Sequence, residues 1–300
     1  MKRKILSILL TLAMTLTLLP ATAMAEDVKG VQCDGGDGCN HKVAAIYDGS
    51  AGENPGEYHY DTLQAAITNG TNDYYGNFKL LDDVQEDIVV GEGRIAGKYI
   101  TLDLNGHTIT NAKSDTITVQ KRGKLTITGS GTVDNVTDGR APIYNNGTCT
   151  LSGGNYTRSK EAADNTTTSS GGNSYYNILN HGEMTIGSGV SVTSSGHFSS
   201  LVANGYYDYS AKDKGDRTAY IDNVGQAAPK LTIEGGTFRG GINTIKNDDN
   251  ATLTIKDGTF SNVTQAVVQN NNIAEISGGT FDAGDGFYAL QNRNFNGTMN

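Results

Sequence analysis

Two cysteines near the start of the chain have the types and spacing for covalent or metal chemistry. Cys33 and Cys39 flank the segment Asp-Gly-Gly-Asp-Gly, and His41 follows two residues later. In an oxidising compartment, cysteines this close in sequence are typically joined in a local disulfide. A metal site of Cys33, Cys39 and His41 is the alternative, but the sequence supplies no evident fourth ligand. We therefore predict a disulfide and no metal.

Acidic and basic residues could cleave a polysaccharide if they converged on one groove. The adjacent aspartates are Asp82-Asp83 and Asp248-Asp249, and the second pair fits a wide turn between repeats. His107 and His181 stand beside glycines at predicted turns, and His197 is isolated. The chain has neither a nucleophile elbow nor a phosphate loop. We predict no catalytic residues and no cofactor, with calcium kept open because a lyase with clustered carboxylates would hold it.

Tyrosines form two groups whose rings could bind a ligand. Tyrosine rings present a flat apolar face and a polar edge, which suits both sugars and protein partners. The alternative is that these rings only pack their segments onto the fold. The predicted ligand-binding residues are Tyr175, Tyr176, Tyr206, Tyr207 and Tyr209.

The elements that must position these residues come from a repeated phrase of alternating apolar residues, a glycine corner and another apolar residue. Most copies follow one another after 21–24 residues, a period typical of a solenoid. Short apolar alternations separated by Gly, Asn or Asp indicate three strands per repeat. This pattern predicts an all-β, right-handed parallel β-helix with a short N-terminal helical cap. The copies are centred on Leu104, Ile127, Leu151, Ile186, Ile233, Ile255 and Ile276.

Two intervals between copies are longer, at 35 and 47 residues, and indicate insertions at 157–173 and 205–218. In repeat proteins such insertions lie on one face, which is often the binding face. The two tyrosine groups fall at or beside these insertions. Two arginines noted beside the second insertion are Arg217 and Arg239. Cys149 takes an apolar position equivalent to Leu125 and Met184, so we predict a buried, unreactive thiol.

A second pattern places asparagine two residues after an apolar residue. Asparagine side chains stacked at one corner of a solenoid can hydrogen-bond from repeat to repeat. We therefore interpret this row as structural and not as a ligand site. The predicted members are Asn145, Asn180, Asn223, Asn247, Asn270 and Asn292.

The first 25 residues read as a signal peptide. Three basic residues precede the apolar run 5–19, and Ala23-Met-Ala25 forms a cleavage site before Glu26. An uncleaved anchor is the alternative, but the run is short for a membrane span. The net charge of −9 becomes −12 without this peptide, which argues against nucleic-acid binding. We expect a secreted or cell-surface protein with no transmembrane segment in the mature chain.

The mature chain divides into two predicted regions. Residues 26–76 form an N-terminal cap region with the small cysteine loop. In it, Asp61-Thr-Leu-Gln64 predicts the start of a short amphipathic helix that ends at Gly70. Residues 77–300 are predicted to form the β-helix. Its last turn is incomplete, and the repeat predicts a strand near Thr298. A longer polypeptide beyond Asn300 is an open expectation.

Several segments resemble pectate-lyase-like right-handed β-helix proteins, which are exported and often adhesin-like proteins of Gram-positive gut bacteria. The segments are 41–46, 60–67, 100–109 and the Gly-Gly-Thr-Phe copies. The resemblance covers nearly the whole mature chain and implies a modular protein displayed at the cell surface. The chain departs from that pattern because it contains no cell-wall sorting signal.

Together these features predict a non-catalytic, exported module for surface adhesion, binding a glycan or a host or cell-surface protein. The alternative is a polysaccharide lyase or glycoside hydrolase that acts on acidic polysaccharide. Solenoid active sites assemble from several repeats and are poorly visible in sequence, which keeps that alternative open. A third reading is a purely structural surface stalk.

Overall fold

A computed structural model describes residues 30–32, 39–52, 54–161, 175–206, 227–248, 250–292 and 298–299. The predicted signal peptide lies outside these residues. So do most of the two predicted insertions. Strands dominate the described residues, with one α-helix and one 3₁₀ turn at Gly93–Ile95.

The N-terminal region is a small antiparallel unit beside the first repeat. Strand β1 (Val43–Tyr47) pairs antiparallel with β2 (Gly56–Tyr60) and with β3 (Tyr75–Leu80). Helix α1 (Leu63–Asn69) connects β2 to β3 and buries Leu63, Ala66 and Ile67. Its short apolar face packs against the sheet, which compensates for the marginal stability of so short a helix.

The cap of α1 differs from the prediction by one residue. The N-cap is Thr62, whose hydroxyl accepts a hydrogen bond from the Ala65 amide at 3.2 Å. Asp61 instead lies 2.6 Å from the His41 ring nitrogen Nδ1. The Glu86 carboxylate accepts from the Leu63 and Gln64 amides, so a distant residue satisfies the first turn.

From β3 onward, the strands form three parallel ladders. The first ladder contains β3, β6 (Tyr99–Asp103), β9 (Lys124–Thr128), β12 (Thr148–Thr157), β14 (Glu183–Thr193), β16 (Lys230–Ile233), β19 (Thr252–Ile255), β22 (Ile273–Ile276) and β25 (Thr298–Met299). The second contains β4 (Val84–Gln85), β7 (Thr108–Thr110), β10 (Thr132–Asp134), the later halves of β12 and β14, β17 (Thr237–Arg239), β20 (Thr259–Asn262) and β23 (Thr280–Ala283). The third contains β5 (Ile88–Val90), β8 (Ile117–Val119), β11 (Ile143–Asn145), β13 (Ile178–Asn180), β15 (Val202–Asn204), β18 (Asn243–Asn247), β21 (Ala266–Asn270) and β24 (Tyr288–Asn292).

The chain visits the three ladders in turn, and neighbours within each ladder pair in parallel. The first two ladders merge with β1 and β2 into one 17-stranded sheet, and the third forms a separate 8-stranded sheet. This mostly β arrangement with long parallel sheets is compatible with an all-β solenoid, and that part of the prediction is confirmed. The parallel ladders begin at Tyr75, and β25 is the strand expected near Thr298.

The repeated phrase forms the core because every second residue of each strand faces inward. In the second ladder, Phe238, Phe260 and Phe281 stack with ring centroids 4.9 Å apart and planes within 8° of parallel. That distance matches the spacing of neighbouring strands, so the backbone ladder imposes the face-to-face stack. In the first ladder, Cys149 pairs with Leu125 and Met184, as predicted.

The first copy of the phrase is aligned differently from the prediction. Leu102, and not Leu104, pairs with Ile127. Apolar residues at 100, 102 and 104 allow either alignment by sequence. Strand pairing selects Leu102 because β6 ends at Asp103. Leu104 is still fully buried, one residue beyond the strand.

Candidate functional site

An open groove of about 990 Å3 lies beside the second ladder. Its lining comes from five strands of that ladder and from residues that follow them. Most lining groups are hydroxyls, amides and backbone, and none of the described lining residues is Tyr, Phe or Trp. The serine, threonine and asparagine side chains of this groove offer hydrogen-bond partners to a ligand with many hydroxyl groups.

One row of outward side chains runs along the groove. Thr157, Thr193, Arg239, Ser261 and Asp282 occupy equivalent positions on adjacent parallel strands. Neighbouring strands are about 4.8 Å apart, so Arg239 and Asp282 lie about 10 Å from each other. The row therefore presents three hydroxyl groups, one cation and one carboxylate at a regular spacing.

The floor of the groove contains a buried ion pair. Arg158 Nε donates to Glu161 Oε2 at 3.0 Å, and the two side chains are 0% and 1% exposed. Arg158 also donates to the backbone carbonyls of Thr137 and Arg140. These bonds compensate the cost of burying both charges. Gly196 lies directly against Glu161, where a Cβ atom would overlap the carboxylate.

The wall opposite this ion pair is built by turn residues. His197 Nδ1 lies 2.7 Å from the Thr264 hydroxyl, across 67 residues of sequence. The Asn262 side-chain oxygen Oδ1 accepts from the Thr264 backbone amide at 2.7 Å and shapes the turn after β20. His197, which the sequence analysis treated as isolated, therefore lines the same groove as Arg239. Sequence reasoning did not single out Arg158 or Glu161, although they begin the first long insertion.

The predicted tyrosine site is only partly described, and one member is buried. Tyr175 and Tyr176 are half-buried, contact each other edge to face at 5.0 Å, and lie near the groove floor, with Arg158 over the Tyr175 ring. Burial raises the pKa of Tyr175. Tyr206 is 8% exposed and offers little ring surface, and its role in ligand binding stays a prediction. Tyr207 and Tyr209 lie outside the described residues.

Tyr206 is buried because it stacks on His181. The two ring centroids are 4.0 Å apart, and Tyr144 Oη lies 3.3 Å from His181 Nδ1. Burial lowers the pKa of His181 to about 4, despite a hydrogen bond to the Gly205 backbone that favours the protonated form. A neutral imidazole at pH 7 anchors the residues that follow β15. The cluster is a packing feature on the third ladder, away from the groove.

The asparagine row exists, with one change of membership. Each side-chain amide nitrogen donates to the carbonyl oxygen of the next member at 2.7–3.1 Å. Asn204 bonds both Asn180 and Asn247, so it fills the place predicted for Asn223, which lies outside the described residues. The row from first to last is Asn145, Asn180, Asn204, Asn247, Asn270 and Asn292.

The remaining candidates take structural positions. Asp248 forms a nearly buried ion pair with Lys246 at 3.0 Å, and Asp249 and Arg217 lie outside the described residues. Asp82 is exposed and pairs with Lys42 at 3.6 Å, and the adjacent Asp83 lies 3.6 Å from His107. Asp82, Asp83 and Asp248 therefore do not line the groove.

The cysteine loop is described on one side only. Cys39 is disulfide-bonded, while its predicted partner Cys33 lies outside the described residues, so the pairing stays a prediction. The Cys39 sulfur lies 2.8 Å from His59 Nδ1. His41, the third ligand of the alternative metal site, contacts Asp61 instead.

Within the described ranges, no cluster of three or more His, Cys, Asp or Glu side chains could hold a metal ion. No helix of the described part of the chain is long and apolar enough to cross a membrane.

No protein-family model, curated protein or solved structure matches this chain.

Proposed function

We propose that the chain is an exported, right-handed parallel β-helix that binds a glycan or a host-surface ligand without cleaving it. The observation that carries this proposal is the hydroxyl-lined groove with Arg239 exposed on its wall. A right-handed coil is the expectation for parallel strands joined by crossovers. The resemblance to pectate-lyase-like adhesins supports the same fold and a cell-surface location.

The capping role of α1 belongs to this proposal. The open end of a solenoid exposes unpaired strand edges, which natural proteins cover. The Gln64 side chain pairs with the backbone of β5: its carbonyl oxygen accepts from the Val89 amide at 2.7 Å, and its amide donates to the Val89 carbonyl at 3.2 Å. A helix side chain therefore takes the place of a strand at the edge of the third ladder.

The groove favours binding over catalysis because its charged groups do not form an acid and base pair. Among its described lining residues, Asp282 is the one carboxylate, and the nearby Glu161 is committed to Arg158. The enzyme alternative draws on His197, Arg239 and Asp282, which different turns bring to one groove. A third possibility, a surface stalk, would need neither group.

A glycan array and host-protein overlays test the binding proposal. We expect Arg239→Ala to weaken any ligand found by about 10-fold or more, because a hydrogen bond to a charged group contributes about 1.5–3 kcal/mol. Lys256→Ala is the matched control, since it removes an exposed lysine that pairs with Glu234 outside the groove. Equal binding by wild type and Arg239→Ala would reject the groove as the site. Release of unsaturated or reducing sugars by the wild type would favour the enzyme.

A further inference from the structure

The groove contains one exposed cation and one exposed carboxylate that are not paired with each other. Arg239 and Asp282 are both exposed, and both line the groove. Within the described part of the chain, neither side chain takes part in an ion pair or a side-chain hydrogen bond. We propose that the groove binds a zwitterionic glycan, with Arg239 on an acidic group and Asp282 on an ammonium group of the same chain. This inference rests on the proposed function and names the class of glycan.

The strand register fixes where these two charges lie. Arg239 of β17 pairs with Ser261 of β20, and Ser261 pairs with Asp282 of β23. The two charged residues are therefore separated by two strand spacings, about 10 Å between their backbones. A ligand that lies along the ladder passes both of them. The Ser261 hydroxyl lies between them and can donate to or accept from the same ligand.

The other ionisable side chains that line the groove already have partners. The guanidinium of Arg158 donates to Glu161 and to two backbone carbonyls. His197 Nδ1 lies 2.7 Å from a threonine hydroxyl. Among the lining residues that the structure describes, Arg239 and Asp282 are therefore the charged side chains that remain for a ligand. They give the groove one charge of each sign.

A ligand with charges of one sign would fit this arrangement less well. A purely acidic glycan would meet Asp282, and a purely cationic glycan would meet Arg239, so one like-charge contact would oppose binding in each case. The net charge of the chain is −9, which adds a repulsion of polyanions at longer range. A zwitterionic glycan instead gains a favourable contact from each residue. Charge complementarity therefore favours the zwitterionic class.

The rest of the groove offers contacts to the uncharged parts of the same glycan. Thr157 and Thr193 continue the row beyond Arg239, and their hydroxyls can exchange hydrogen bonds with sugar hydroxyls. The row from Thr157 to Asp282 covers four strand spacings, about 19 Å. Val263 lines the same groove and is 65% exposed, so it offers an apolar surface to the C–H face of a sugar ring.

The experiment compares glycan probes of matched length on the full-length mature protein by isothermal titration calorimetry at low salt and about pH 6. Hyaluronan oligosaccharides carry carboxylates, and their N-deacetylated form carries carboxylates and ammonium groups on the same backbone. Chitosan oligosaccharides carry ammonium groups alone, and chitin oligosaccharides carry no charge. We expect N-deacetylated hyaluronan to bind about 10-fold or more tightly than each of the others, because both charged residues then make a hydrogen bond to a charged group.

Substitutions at the two positions assign this preference to the residues. Asp282→Asn should bind N-deacetylated and intact hyaluronan within about twofold of each other, because it loses the group that recognises ammonium. Arg239→Gln should weaken the binding of N-deacetylated hyaluronan about 10-fold and should not weaken the binding of chitosan. Glu275→Gln is the matched control, because it removes an exposed carboxylate of β22 that does not line the groove. It should keep the wild-type preference.

Several results would overturn the inference. They are equal binding of N-deacetylated and intact hyaluronan by the wild type, an unchanged preference in Asp282→Asn, and an equal loss of preference in Glu275→Gln. Binding of none of these probes would overturn it as well, and the glycan array and host-protein overlays then separate it from the proposed function. A ligand without amino groups that still depends on Arg239 would reject the zwitterionic class alone. The absence of any ligand would reject both.

Discussion

Acidification should destabilise this fold through one histidine, His181. Burial lowers the folded-state pKa of His181 to about 4, from the ordinary histidine value of 6.5. The folded protein therefore keeps His181 neutral where the unfolded chain binds a proton. The stability that this provides is complete above pH 6.5 and is lost progressively as the pH falls toward 4.

The magnitude follows from the two pKa values. Between pH 7.5 and pH 4.5 the linkage amounts to a loss of about 2.5 kcal/mol in the free energy of unfolding. Packing against Tyr206 and the contact with Tyr144 explain why the ring cannot reach water without opening this corner. The loss is a substantial fraction of the roughly 5–15 kcal/mol that typically stabilises a domain.

Urea denaturation at the two pH values, monitored by circular dichroism, provides the assay. Carboxylates also titrate in this range, so the informative quantity is the difference between wild type and His181→Gln. Glutamine can accept from Tyr144 and donate to the Gly205 backbone, but it does not titrate. We expect the pH-dependent loss to be about 2.5 kcal/mol smaller in His181→Gln. Parallel pH profiles for the two proteins would refute the assignment.

Three further changes test the core and the groove. Asn247→Ala should destabilise the fold by about 3 kcal/mol, because it leaves buried partners without hydrogen bonds. Asn292 is at the exposed end of the row, so Asn292→Ala should cost less than about 1 kcal/mol in the same denaturation assay. The Cys149 thiol, whose pKa burial raises to about 12, should not react with a thiol reagent until the protein unfolds, and rapid labelling of the native protein would contradict its placement. Gly196→Ala should force Glu161 out of its ion pair and lower stability by about 3 kcal/mol, measured by thermal unfolding, while a neutral effect would show that the floor of the groove is loosely packed.

The repeated phrase predicted the ladders well because its information is local. An apolar residue at every second position chooses one face of a strand, and a recurring glycine corner sets the length of a turn. For this reason Cys149 could be placed against Leu125 and Met184 from sequence. The same logic located five of the six asparagines of the row.

Predictions became less accurate where spacing allowed two answers. Asn204 and Asn223 both follow an apolar residue by two positions, and only pairing with β13 and β18 selects Asn204. Tyr206 has the residue type and the place beside an insertion that are typical of an exposed binding ring. In the fold, its ring stacks on His181 and is buried. In both cases the deciding partner is 22 residues or more away in sequence, and no local pattern records it.

The sequence alone determined the period, the inward face of each strand and the predicted export, because these depend on residue order over short distances. The tertiary structure decided which side chains share a surface. The groove brings together residues from separate repeats, namely Arg158, His197 and Arg239. They share a surface only because parallel strands stack in register about 4.8 Å apart. Cys39 and His59 are likewise 20 residues apart and meet only across the antiparallel strands of the N-terminal region. Chemistry that is assembled across strands depends on register, and register is a property of the folded sheet.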